Sequence, residues 1–275
     1  MPNDAGSTLP AEAVREGLVG LMADVGPGAL GWMSTRAGGV SAGPWASLNL
    51  GDHVGDAPDA VARNRTRWAQ ALGARPVFLR QVHGTGVVRL DATTPDGTEA
   101  DACWTDARGV ACTVLVADCL PILLAAPDGR SVAAAHAGWR GLAGHDGRGV
   151  LEALCAHWPA AQDPERRRAI RVWIGAAIGP QAFEVGGEVR DAFVAVCPSD
   201  AEAFHPSPQN ADRWLADLPG LARRRLERLG FGPVTGNDGA APWCTVGNPS
   251  RFFSHRRDAR LLGHSGRLGA AIWRV

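Results

Sequence analysis

Lysine and tyrosine are both absent from the chain, and all 28 of its basic residues are arginine. Without lysine there can be no Schiff base to a pyridoxal or carbonyl substrate and no phosphate-loop lysine. Without tyrosine no phenol can act as acid or base. No stretch approaches the ~20 consecutive apolar residues of a membrane span, and the start, MPNDAGSTLPAEAVREGL, lacks the basic region and apolar run of a signal peptide. A cytoplasmic protein is therefore expected. Six cysteines (103, 112, 119, 155, 197, 244) occur without a CxxC pair, which indicates neither a disulfide framework nor a zinc knuckle. The GxSxG elbow, the His-x-Glu…PCxxC deaminase signature and any His-x-His are missing too, so the dense imidazole clusters of a multicopper oxidase cannot be assembled in the usual way.

What remains is an ordinary globular composition, 45% hydrophobic and 20% charged over 275 residues. Formal net charge is zero, so no overall field draws the protein to nucleic acid or to an acidic membrane, and small-molecule chemistry is the better expectation. No linker divides the chain. The spacing predicts a loose tail over residues 1–10 and a single domain over residues 11–275. It predicts helices over Asp59–Leu72 and Ala211–Leu229, and strands over Val77–Val82, Val87–Leu90, Val110–Val116, Ile122–Ala126, Val132–Ala135, Arg171–Ile174 and Ala270–Val275. These interleave irregularly, which predicts an α/β or α+β fold of mixed β-sheets covered by helices.

One stretch, CLPILLAAPDGRSVAAAH (Cys119–His136), carries chemistry at both ends. If Asp128-Gly129 is a two-residue hairpin turn, His136 lies opposite Pro121. Cys119 then points to the same face, roughly 7 Å further along at ~3.3 Å per residue, within reach of a diagonal contact. A thiol beside an imidazole can become a nucleophilic thiolate, or both can ligate a metal, zinc being well suited. A catalytic zinc asks for a third ligand, and His83 at a strand end fits the request. On spacing alone the default stays open beside these: a structural cysteine and two unrelated loop histidines.

The motifs ADCLPILL, VAAAHAGWRGLAG, QVHG, STRAGGVS (Ser34–Ser41), SLNLGDHVGD (Ser47–Asp56), IGPQAFEVGGEVRDAF (Ile178–Phe193) and FFSHRRD (Phe252–Asp258) together resemble the YfiH-like family. It is also called the laccase-domain, polyphenol oxidase-like or peptidoglycan editing factor family. The resemblance runs in order from about residue 29 to the C-terminus. It implies a fold related to the catalytic part of cytotoxic necrotizing factors, a cysteine-hydrolase fold, with a zinc site of His83, Cys119 and His136 that is also the catalytic centre. The implied activity is purine nucleoside phosphorylase on adenosine, inosine and methylthioadenosine, with adenosine deaminase activity besides.

Two alternatives carried by the resemblance are copper-dependent polyphenol oxidation and removal of misplaced serine from a cell-wall precursor by a Cys119–His136 amidase. A non-enzymatic binding module is a third. For phosphorolysis, Arg36 and Arg140 are the candidate substrate-binding arginines, with Arg256 and Arg257 weaker. Asp118 is a candidate for orienting a ligand histidine. The expected partners are a purine nucleoside and phosphate, and the expected state is a monomer. Against the family pattern the chain inserts His145–Arg148 and Ala240–Trp243. The first follows the His136 loop, so a different substrate range is expected; His145 itself is expected as a solvent-exposed loop histidine, with approach to the site as the alternative.

Overall fold

The structure, a computed structural model, describes residues 12–275. Among them, one six-stranded sheet runs in the order Glu12–Arg15, Leu18–Ala23, Ala29–Ser34, Leu268–Arg274, Val110–Val116, Arg75–Phe78. A second runs Val234–Gly236, Arg171–Ile174, Leu120–Ala125, Val132–Ala137, Ala102–Thr105, Val87–Arg89. Both sheets are mixed, with parallel pairs such as Arg75–Phe78 beside Val110–Val116. A three-stranded sheet of Glu184–Val185, Trp214–Ala216 and Phe204–Pro206 stands apart from them.

The central strands are apolar on both faces because both faces are covered. On Leu120–Ala125, Ile122 and Leu124 pack with Leu151, Leu154, Leu221 and Leu226 of the helices Val150–His157 and Leu218–Arg228. Leu123 and Ala125 of the same strand face the other sheet, meeting Val114, Met33 and Ile272. Beyond that sheet lies helix Pro58–Leu72, whose Trp68 stacks on Trp32 with ring centroids 4.8 Å apart and 11° between planes. The layers are thus helix, sheet, sheet, helix, and strands shared between cores bind the described chain into one domain. No helix among the described residues is long and apolar enough to cross a membrane.

Helix Pro58–Leu72 matches its sequence signals closely: proline and Asp59 in the first turn, and Gly73 in the left-handed conformation just past the end. The expected helix over Ala211–Leu229 is shorter. Trp214–Ala216 is a strand, and the helix starts at Leu218, where the Asp217 carboxylate accepts from Gly220 N at 2.9 Å. Pro219 supplies the reason, because it lacks an N–H and is tolerated only in a first turn. The strand expected over Val77–Val82 ends at Phe78. Two of the three N-terminal strands, Leu18–Ala23 and Ala29–Ser34, escape a periodicity reading because Gly20 and Gly31 interrupt them; at Gly20 a Cβ would sit 2.3 Å from the Trp32 ring. The loose tail expected over residues 1–10 lies outside the described residues.

The hairpin pairs Pro121 with His136 as expected, although its loop is longer than two residues. Ala126 N donates to Ser131 O, and a turn from Ala126 to Gly129 places Gly129 at φ 65°. The extra residues fall equally on both sides of Asp128-Gly129, so the register and the facing residues are unchanged.

The Trp32–Trp68 stack joins helix Pro58–Leu72 to its sheet through two fully buried side chains. Trp68→Ala is expected to cost about 3–5 kcal/mol of stability, read from the urea midpoint at unchanged slope.

Candidate active site and metal centre

His83, Cys119 and His136 converge at one end of the second sheet. His136 is the second-last residue of its strand and is buried, Cys119 immediately precedes strand Leu120–Ala125, and His83 lies in the loop after Arg75–Phe78. One ligand atom from each lies within 4.8 Å of the others, and Cys119 Sγ is 3.7 Å from His83 Nε2. The two imidazoles meet edge to face, centroids 4.8 Å apart. Cys119 was expected inside the strand; the chain instead bends at Asp118, φ 88°, and the strand begins at Leu120.

Asp101 arranges this cluster. It is fully buried one residue before strand Ala102–Thr105, and its Oδ1 accepts from His136 Nδ1 at 2.8 Å and from His83 N at 3.0 Å. Its Oδ2 accepts from Gly84 N at 2.7 Å and Val82 N at 3.2 Å. One carboxylate thus sets the ring orientation of one histidine, leaving Nε2 for the cluster, and holds the backbone of the other at φ 60°. Burial alone would raise the Asp101 pKa, but these donors outweigh it and hold it below the ordinary value.

Glycine is required where the chain passes the cluster. A Cβ on Gly138 would lie 2.9 Å from both Cys119 Sγ and His83 Cδ2. Burial pushes the Cys119 thiol up, yet the charge of His136 and hydrogen bonds from both histidines prevail and lower it to about 6. His136 is disfavoured as a cation by burial, but Cys119 and Asp101 raise it to about 9. Both shifts favour the thiolate–imidazolium form of the pair in the metal-free protein.

A thiolate with two imidazoles is a donor set that zinc or copper accepts, and an Asp101-type carboxylate on the far ring nitrogen is the usual support of a metal-bound histidine. The residues therefore fit a metal. Among the described residues this is the one group of three or more histidine, cysteine or acidic side chains drawn close enough to hold an ion.

The cluster opens into a cavity of about 360 Å³ lined also by Gln81, Trp139, Arg140, Phe183, His255, Arg256 and Arg267. Arg140 is exposed there and stacks over Trp139 at 4.5 Å. Arg36 is not brought to the cavity. Its Nε donates to Ala46 O at 2.8 Å and its Nη1 to Pro249 O at 2.9 Å, so it ties two loops together. Arg257 is spent likewise on the carbonyls of Thr245, Val246 and Phe252. Asp118 does not orient a histidine, since its oxygens accept from Thr245 Oγ1 at 2.5 Å and Arg256 N at 2.6 Å. That role falls to Asp101, which spacing could not single out, though its place just before a strand pairing with the His136 strand is a usable signal.

The His145 loop stays away: its imidazole is 96% exposed, pairs with Asp146 and does not line the cavity. The second insertion is structural, with Trp243 buried against Trp173.

Residues 31–275 match the family described as multi-copper polyphenol oxidoreductase laccase. The chain belongs to that family. Among its curated relatives, a Pseudomonas aeruginosa protein named purine nucleoside phosphorylase is 47% identical over 241 residues, covering 88% of this chain and 91% of that one. Purine nucleoside phosphorylase YfiH of Escherichia coli is 46% identical, covering 88% and 92%. A crystal structure of a Neisseria meningitidis protein superposes with a TM-score of 0.82 at 42% identity, covering 93% and 98% of the two chains. YlmD of Geobacillus stearothermophilus gives 0.81 at 31% identity, covering 97% and 98%. The family's description implies several copper centres, whereas the described residues supply one three-ligand group.

Three outcomes check the site. Iodoacetamide alkylation of Cys119 in metal-stripped protein is expected to rise with pH through about 6 rather than near 9, because the thiolate persists above the lowered pKa. His136→Ala removes the main lowering influence and leaves burial, so the midpoint moves upward. Gly138→Ala, which crowds both Sγ and the His83 ring, is expected to lower metal content measured by elemental analysis, with the fold retained by circular dichroism.

Proposed function

We propose that this protein is a zinc-dependent purine nucleoside phosphorylase, acting on adenosine, inosine and methylthioadenosine and deaminating adenosine as a side activity. The observation that carries the reading is the His83–Cys119–His136 cluster on the floor of a cavity with aromatic and cationic walls, in a chain whose relatives bear the phosphorylase name.

His83, Cys119 and His136 would hold the metal, and zinc bound by three protein ligands would supply an electrophile and an acidified water, the chemistry that deamination at purine C6 draws on. Copper would accept the same donors, but one site without further histidine clusters suits zinc better than multicopper oxidation. Asp101 keeps His136 oriented and shapes the loop that carries His83. Trp139 and Phe183 offer faces on which a purine can stack. Arg140, free of any ion pair among the described residues, is a substrate-binding arginine of this site.

In phosphorolysis a phosphate oxygen bonds to C1′ as the C1′–N9 bond breaks. The electron pair leaves on the purine, which takes the proton that phosphate gives up. Positive charge on the cavity wall positions the anion and stabilises its approach.

A second reading has its own observation. Asp101–His136–Cys119 is also the arrangement of an orienting carboxylate, a base and a thiolate, which fits a metal-free amidase on the cysteine-hydrolase fold that the family resemblance implies.

Elemental analysis of purified protein and of Cys119→Ala, with adenosine incubated with and without phosphate, separates the readings. Bound zinc, lost in the variant, and ribose 1-phosphate formed only with phosphate are expected. Asp101→Asn is expected to weaken metal affinity by about 10–100-fold. Metal-free parent protein that forms neither ribose 1-phosphate nor ammonia would overturn the phosphorylase in favour of the amidase.

A further inference from the structure

The metal-site cavity shares part of its wall with a second depression. This second chamber, of about 300 Å³, is lined by Val54, Gly55, Ala259, Gly263, His264 and Ser265, and the residues common to both are His53, His255 and Arg267. No carboxylate lines the second chamber, and the single one lining the first, Asp118, has both oxygens engaged by Thr245 and Arg256. In a chain of zero formal charge, this is a local excess of positive charge.

The three arginines on the first cavity differ in what they have left to offer. Arg140 is exposed over Trp139. Arg256 is exposed, and its Nη1 reaches out to the Ala182 and Glu184 carbonyls, so what separates it from Arg267 is its exposure to water. Arg267 is half-buried and rigidly seated: its backbone N donates to Asn49 Oδ1 at 2.8 Å, and its stem packs where a Cβ on Gly51 would come within 2.7 Å of Cγ. Its Nη1 donates to Ser265 O at 3.0 Å and Gly266 O at 3.1 Å, leaving Nε and Nη2 without a protein acceptor among the described residues. No acidic group of the described residues pairs with it. Burial pushes its guanidinium below the ordinary value, an effect that the nearby Cys119 and Asp118 only partly offset.

We infer that Arg267, on the wall common to both cavities, is the binding residue for inorganic phosphate, the oxyanion co-substrate. The inference rests on the phosphorolysis proposed above. The side chamber admits phosphate while the metal cavity, with Trp139 and Phe183, takes the nucleoside. A guanidinium edge with two unspent donors matches two oxygens of a tetrahedral anion. An anion beside this partly buried guanidinium offsets the desolvation that its burial imposes.

The test uses the metal-loaded protein with Arg267→Gln and Arg267→Lys. For Arg267→Gln the KM for phosphate at saturating adenosine is expected to rise about 10–100-fold, the loss of a charge-assisted contact. The KM for adenosine, the metal content and the melting temperature are expected to stay put, and lysine to restore part of the phosphate affinity. An unchanged phosphate KM, or a loss shared equally with adenosine KM and metal content, overturns the assignment. If the parent forms no ribose 1-phosphate, the phosphorolysis reading fails by itself. The anion site is then decided by whether inorganic phosphate slows iodoacetamide alkylation of Cys119 in metal-stripped parent protein. Protection lost in Arg267→Gln supports the site, and protection equal in both or absent from both overturns it.

Discussion

The buried carboxylate of Asp101 meets four donors that belong to two otherwise independent pieces of chain: the His136 ring, and the backbone N–H groups of Val82, His83 and Gly84. A carboxylate out of water is costly unless its lone pairs are filled, so this one fixes its surroundings as much as it is stabilised by them. His83 adopts a left-handed backbone that a histidine would not hold unaided, and the loop's three successive N–H groups have no other acceptor to satisfy them. The geometry of the cluster follows from that constraint. Cys119 needs no such clamp, because it enters directly from a rigid strand.

The two-sheet core explains why the clamp can be placed so accurately. Asp101 leads into a strand paired residue for residue with the His136 strand, Ala102 opposite Ala135, and that strand pairs in turn with the one led by Cys119. Three adjacent strands, apolar on both faces and packed between helices and a second sheet, therefore carry three of the four groups. Only His83 rides on a loop, and it is the one that Asp101 holds by the backbone. The small residues of the HAGWRG segment complete the arrangement, since any side chain at Gly138 would occupy the space of the ligands.

The same side chains serve two chemistries on paper. Without a metal, the surroundings of Cys119 and His136 favour an ion pair between them; with one, both would be ligands and neither charge would be free. The Asp101 bond is useful in both cases, which is why the cluster's geometry supports a metal site and a thiol nucleophile alike. What distinguishes them is the wall opposite: aromatic surface and arginines, in a cavity that shares Arg267 with a neighbouring depression.

Local sequence determined a good deal. Asp128-Gly129 centred the hairpin, and because the loop extends equally on both sides of that pair, the facing of Pro121 and His136 survived an error in loop length. Helix Pro58–Leu72 carried its own start and stop, and the motif string marked His83, Cys119 and His136 through family resemblance. Pro219 was legible too and would have shortened the Ala211–Leu229 helix. Contacts between distant segments were not legible, because no local pattern encodes them. Arg36 and Arg140 look alike in sequence, but packing commits the first to loop carbonyls and leaves the second on the cavity. Asp118 and Asp101 are likewise equivalent carboxylates until the fold hands one a helix start and the other a histidine ring. The residue types and their spacing were determined by the chain alone, whereas which polar group each one satisfies was decided only when the two sheets closed on one another.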